Sequence, residues 1–254
     1  MERKSLQRKQ LTEWPAEGGS RPQNMMQSNA EAVAAWYFRL NGFFTTLNFV
    51  VHPDLGSVQR TEVDILGVRL PHRSETAGGR TLDDDKILEF GDGKTLLIIC
   101  EVKDDGACRL NGPAKDPERA DLQKVLSAIG AFENGEVAKA AAGLYQSGSY
   151  KNSTYRAHLI ALAAERDSKL TAERPDVLQI TWLDVADFIH CRFRSHKDPK
   201  KQHPQWDSIG KKLWASAQES SVEQFREKLK AIVVVKANGP NEALHRVRQK
   251  AARR

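Results

Sequence analysis

Between residues 29 and 42 the apolar side chains Ala32, Val33, Trp36, Tyr37 and Leu40 recur at the spacing of one helix face. Asn29 stands where a helix cap is expected, and Asn41-Gly42 supplies the stop. The pattern then changes. Residues 43–51 are rich in aromatic and β-branched side chains and run into Pro53, Asp54 and Gly56, the signature of a strand closed by a turn. A second strand is predicted over 61–70 and a third over 95–103. Between them lies a polar insertion, 71–93, with Gly78-Gly79 and the acidic run Asp83 to Asp85. Three consecutive strands of this kind predict a meander.

Downstream, Pro117 opens a predicted helix over 117–132 with Leu122, Val125, Leu126 and Ile129 as its apolar stripe, and an Ala-rich helical piece continues to Tyr145. Residues 158–164 and 177–181 read as buried strands and 183–193 as a helix. After Ser195 come Lys197, Lys200, Lys201 and His203, then two helices expected over 206–217 and 222–235. The fold class implied is α/β, or α+β with a mixed sheet. Its organisation is a polar arm (1–28), a core (29–195) and a helical basic C-terminal extension (196–254).

Composition changes this picture little: 254 residues, 40% hydrophobic and 28% charged, are those of an ordinary globular chain able to bury a full core. The net charge of +6 suits a polyanionic partner, and Arg246, Arg248, Lys250, Arg253 and Arg254 form an acid-free tail of the kind that lies on phosphates or simply solubilises. The N-terminal ten residues carry Arg3, Lys4, Arg8 and Lys9 with no apolar core after them, so neither a signal peptide nor a membrane helix is expected and the chain reads as cytoplasmic. Cys100, Cys108 and Cys191 are odd in number and lack a Cys-x-x-Cys pair, which argues against a disulfide framework. His190, Cys191, His196 and His203 match no zinc-finger spacing. A Walker phosphate loop and a Gly-x-Ser-x-Gly nucleophile context are both missing from the sequence.

The chemistry concentrates in two strands. Residues 95–103 form an almost unbroken apolar run that ends in Glu101 and Lys103, which alternation puts on one face. A buried carboxylate and ammonium are costly without partners such as a metal ion or an anionic substrate. Asp64 lies inside the preceding strand, flanked by apolar residues, where aspartate is depleted. If the strands pair, Asp64 and Glu101 converge, and two carboxylates plus water suit a hard divalent cation.

Aspartate, a gap, then Glu-x-Lys at the end of an apolar strand resembles the PD-(D/E)xK nuclease superfamily, which includes restriction endonucleases and Holliday-junction resolvases. The resemblance covers roughly residues 29–187 and implies a restriction endonuclease-like core of helix, three strands, helix and strand. It also implies Mg²⁺ (or Mn²⁺) as cofactor and hydrolysis of phosphodiester bonds, with DNA ahead of RNA, in defence, restriction or repair. Asp64 and Glu101 become the metal-binding residues, Lys103 the residue assisting the attacking water, and Glu31 on the first helix the additional acid. Many relatives act as dimers, so a homodimer is among the partners it admits. The literal Pro-Asp of the motif falls at Pro53-Asp54, in the turn, and Asp54 competes with Asp64 for the metal role. Asp64 is preferred for its strand-interior setting. Glu62 on the same face, the Asp104-Asp105 pair and Gln123 are lesser candidates, each with an ordinary surface or capping role as the better account. Trp182, Trp206 and Trp214 are candidates for base stacking, with burial the commoner fate. A non-catalytic nucleic-acid- or partner-binding module that keeps the nuclease fold is the alternative.

Overall fold

The apolar run of the third strand is the axis of the molecule. In the computed structural model, which describes residues 29–51, 61–75, 83–197 and 207–234, β3 (Thr95–Val102) has seven consecutive buried residues and neighbours on both sides. A strand covered on both faces has no use for alternation, which explains the continuous hydrophobicity. It pairs antiparallel with β2 (Thr61–Arg69), and β2 in turn with β1 (Phe44–Val51), so the expected meander is present.

On its other side β3 pairs in parallel with β5 (Tyr155–Ala163), in register from Thr95↔Tyr155 to Val102↔Leu162. The free edge of β5 is shared by two short strands. β4 (Ser149–Lys151) pairs antiparallel with its first half and β6 (Leu178–Thr181) pairs parallel with its second. Among the described residues the result is an open mixed sheet of six strands with eight α-helices around it.

Each face of the sheet has its own core. Ile98, Cys100 and Val102 of β3 face α1 (Asn29–Leu40) and α6 (Trp182–Ser195), and α7 (Ser208–Glu219) and α8 (Val222–Val234) join the same cluster through Ile209, Leu213, Phe225 and Leu229. The two C-terminal helices therefore bury their apolar stripes directly on α1 and α6. Leu97 and Ile99 face the opposite way, against α3 (Asp121–Ile129) and α4 (Asn134–Gln146).

Local signals account for several boundaries. Thr181 and Asp184 form a reciprocal capping box at the start of α6. Gly130, at φ 70°, ends α3 and donates its N–H to the carbonyls of Leu126 and Ser127.

One expectation needs correcting. The single helix expected over 117–132 is broken: α2 (Gly112–Lys115) is followed by a 3-10 turn, Pro117–Arg119, and by Ala120 in the left-handed region at φ 52° before α3 begins. The Asp121 carboxylate, buried at that corner, accepts from Arg119 (2.7 Å) and Lys124 (3.1 Å) and ties the bend together. The described parts of the 71–93 insertion, 71–75 and 83–93, are tied to the rest of the core. Leu88 is fully buried, Arg69 donates to Asp84 at 2.8 Å, the Tyr37 hydroxyl donates to Asp85 at 2.9 Å, and Arg192 pairs with Glu75 at 3.1 Å. Charge pattern alone hides this, because the acids and arginines that meet come from distant parts of the chain. β4 and α5 (Ser168–Glu173) also lie outside the expected elements.

The arm before residue 29, the turn bearing Asp54, Gly78-Gly79, Lys200, Lys201, His203, Trp206 and the basic tail fall outside the described residues. No helix among the described residues is long and apolar enough to cross a membrane.

Candidate metal and active site

The regular pairing of β2 with β3 stops at Ile65↔Cys100, one position short of Asp64. Beyond it the Val102 N–H donates to the Asp64 Oδ2 carboxylate oxygen at 2.7 Å. A side chain has replaced a backbone acceptor, and the strands part around it. The cause is visible one strand away. Asn48 of β1, between the pairs Leu47↔Ile65 and Phe49↔Val63, takes the left-handed conformation at φ 49°. Leu47 and Ile65 pack into the α1 core, whereas Phe49 and Val63 pack into the opposite one. Alternation would have put all four on one face, so both strands turn over at the Asn48/Asp64 level. Asparagine is among the few non-glycine residues that tolerate this backbone.

The fork collects the three motif residues. Lys103 Nζ lies 3.8 Å from Asp64 Oδ2 and 3.7 Å from Glu101 Oε2. The Lys103 backbone is held just beyond the strand end. Its N–H donates to the Leu162 carbonyl at 2.8 Å, and its own carbonyl accepts the Trp182 indole N–H at 3.0 Å. Trp182 thus has a structural task in this chain, as a buried clamp on the lysine's backbone.

Glu101 is 2% exposed, and its Oε2 accepts the side-chain N–H of Asn111. Burial and the nearby Asp64 push its carboxyl up to about 7, against the opposing pull of Lys103 and Asn111. Asp64 is also raised, chiefly by burial, although the Val102 N–H and Lys103 favour its ionised form. The buried Cys100 thiol is driven well above its ordinary value, first by burial and then by both carboxylates, so it stays protonated as an inert core side chain.

One oxygen of each carboxylate is therefore occupied. Among the described residues Asp64 Oδ1 and Glu101 Oε1 make no hydrogen bond or ion pair, while one ammonium faces two carboxylates in a poorly solvated fork. Two unengaged hard oxygens beside a single ammonium fit a divalent cation that takes one or two carboxylates and keeps its waters. No group of three or more His, Cys, Asp or Glu side chains suited to a metal assembles among the described residues.

The other candidates are dispersed. Glu31 sits half-buried in the first turn of α1, and the ion pairs of Lys103 do not include it. Glu62 is half-buried on β2 and near enough for its charge to push the Asp64 carboxyl up. Asp104, Asp105 and Gln123 are exposed. His190 donates its Nε2–H to the Ser220 carbonyl (3.0 Å) and lies tilted against Phe225, a packing role within the α6–α8 core. Clefts lined by Arg69, Asp92 and Arg156, or by Tyr150, His158 and Asp176, are built from other residues than the carboxylate fork.

Sequence reasoning missed Asn48 and Asn111. Asn48 carried a usable signal, a turn-favouring residue amid aromatic and β-branched neighbours. Asn111, within Asn-Gly-Pro, reads only as a turn. No family model, curated protein or solved structure matches this chain.

Proposed function

We propose that the protein is a metal-dependent nuclease of the PD-(D/E)xK kind, hydrolysing phosphodiester bonds, with DNA as the favoured substrate, in defence, restriction or repair. The observation that carries this reading is the fork at the end of β3, where Asp64, Glu101 and Lys103 meet although Asp64 lies 37 positions before Glu101 in the chain. Supporting it are the element order α1, β1, β2, β3, α3, β5, which parallels the restriction endonuclease-like core, and the net charge of +6.

Asp64 and Glu101 would hold Mg²⁺ or Mn²⁺ through Oδ1 and Oε1. A divalent cation bound there polarises a phosphoryl oxygen and acidifies water. The chain's own residues do the rest. The Val102 N–H fixes the Asp64 carboxylate and Asn111 fixes that of Glu101, so neither has to reorganise when a cation arrives. Lys103, clamped through its backbone by Leu162 and Trp182, carries its ammonium beside both carboxylates, where it can orient the attacking water and offset charge developing on the phosphate. Glu31 remains a candidate supporting acid from α1.

Asp64→Ala and Glu101→Ala are expected to abolish metal-dependent cleavage while leaving the chain folded. Full activity in both variants contradicts the assignment. Among the described residues no third metal-suited side chain joins Asp64 and Glu101, which favours as the second reading a non-catalytic nucleic-acid-binding module, whose mark would be metal-dependent binding without turnover.

A further inference from the structure

Asn111 stands where a helix cap belongs and does not cap. It precedes α2, yet its side chain makes no hydrogen bond to the helix start. An N-cap asparagine ordinarily satisfies the backbone N–H of the second or third helical residue. Here the second is Pro113, which has no N–H, and the N–H of Ala114 goes to the Asn111 main-chain carbonyl at 3.1 Å. The side-chain amide is turned to Glu101 instead.

The backbone that carries it is pinned on both sides. Upstream, the Cys108 N–H donates to the Glu165 carbonyl at 2.7 Å and its thiol to the Ala161 carbonyl at 3.2 Å, while Leu110 is buried. Downstream, Arg174 donates to the carbonyls of Ala114 (2.6 Å) and Lys115 (3.0 Å), and the Tyr145 hydroxyl donates to that of Pro113 at 3.2 Å. A segment held this firmly delivers the amide to one place. Both the Asn111 amide and the Lys103 ammonium engage the same Glu101 oxygen, Oε2. The carboxylate is thereby oriented with Oε1 left over.

We infer that Asn111 is a positioning residue for cation binding: its amide holds Glu101 by Oε2 so that Oε1 is presented, with Asp64 Oδ1, to a divalent cation. The inference rests on the metal-centre reading of the fork and assigns a residue outside the Asp-Glu-x-Lys pattern to it. Removing a hydrogen-bond partner of a ligating carboxylate weakens metal binding ~10–100-fold in comparable sites.

The test is Mn²⁺ binding by the full-length chain, measured by titration calorimetry without any substrate, for wild type, Asn111→Leu, Asn111→Ala and Glu101→Ala. Leucine keeps the volume of asparagine and lacks the donor; alanine serves if leucine does not fold. Thermal melting without metal checks folding. The expected result is Mn²⁺ binding at least ~10-fold weaker in the folded Asn111 variant and lost in Glu101→Ala. Wild-type affinity in the Asn111 variant, with binding lost in Glu101→Ala, overturns the role of Asn111 alone. Wild-type affinity in Glu101→Ala overturns the metal-centre reading and this inference with it.

Discussion

The Asp64 carboxylate accepts the Val102 main-chain N–H at 2.7 Å, in the position where the neighbouring strand would otherwise supply a carbonyl. One side chain thus ends a ladder, satisfies a buried donor and points a charge into the fork. These tasks separate by mutation. Asp64→Asn keeps an acceptor for Val102 and loses the charge, so it should melt close to wild type and fail to cleave. Asp64→Ala leaves the donor unpaired and should cost a further ~1–3 kcal/mol in urea denaturation. Equal stability of the two variants would show that the Val102 bond contributes nothing.

The elevated Glu101 carboxyl makes stability depend on pH. Its folded value of about 7 lies above the 4.5 of a free glutamate, so between those values the folded chain keeps a proton that the unfolded chain releases. That contribution favours folding at low pH, fades as pH rises through the window, and is gone above about 7. Asp64, also raised, acts in the same direction. In metal-free buffer Glu101→Gln should therefore gain on wild type as pH goes from 5 to 8, by on the order of 1–3 kcal/mol at the upper end. Denaturant midpoints at several pH values check this. A difference between the two proteins that does not vary with pH would contradict it.

A cation needs the ionised carboxylates, so apparent Mg²⁺ affinity should rise over the same range, by up to ~10-fold per pH unit below the Glu101 value. Calorimetric titration at pH 6 and pH 8 measures it. Equal affinity at both would contradict a Glu101 carboxyl that must lose a proton in this range before it can ligate.

Most of the fold was legible because its signals are local. The unbroken apolar run over 95–102 announced a strand buried on both faces, and the 3.6-residue stripes of α1 and α3 announced their helices. Glu101 and Lys103 were legible for the same reason, as charges ending an apolar strand. What stayed hidden depends on pairings between distant residues. The left-handed Ala120 carries no glycine signal, and Asp84 and Glu75 of the insertion are held by Arg69 and Arg192 from outside it. Nothing in Asn-Gly-Pro reveals that Asn111 reaches back to Glu101. The face reversal at Asn48 was half-visible: the residue type hinted at it, but only the partner strand shows that it frees Asp64.

Phe225 of α8 is fully buried in the cluster shared with α1 and α6. Phe225→Ala should destabilise the whole chain by ~3–5 kcal/mol in a single cooperative transition. A loss under ~1 kcal/mol, or a separate early transition, would show that the C-terminal helices are peripheral to the core.

The central claim, that the fork of Asp64, Glu101 and Lys103 hydrolyses phosphodiesters with a divalent cation, is tested most directly by one cleavage assay. Labelled single- and double-stranded DNA and RNA are incubated with the wild type and Lys103→Ala in Mg²⁺, Mn²⁺ or EDTA. The expected result is cutting by the wild type in Mg²⁺ or Mn²⁺, none in EDTA, and a loss of at least ~100-fold in Lys103→Ala. Cutting that persists in EDTA or is undiminished in Lys103→Ala, or substrates bound but left intact under every condition, would contradict it.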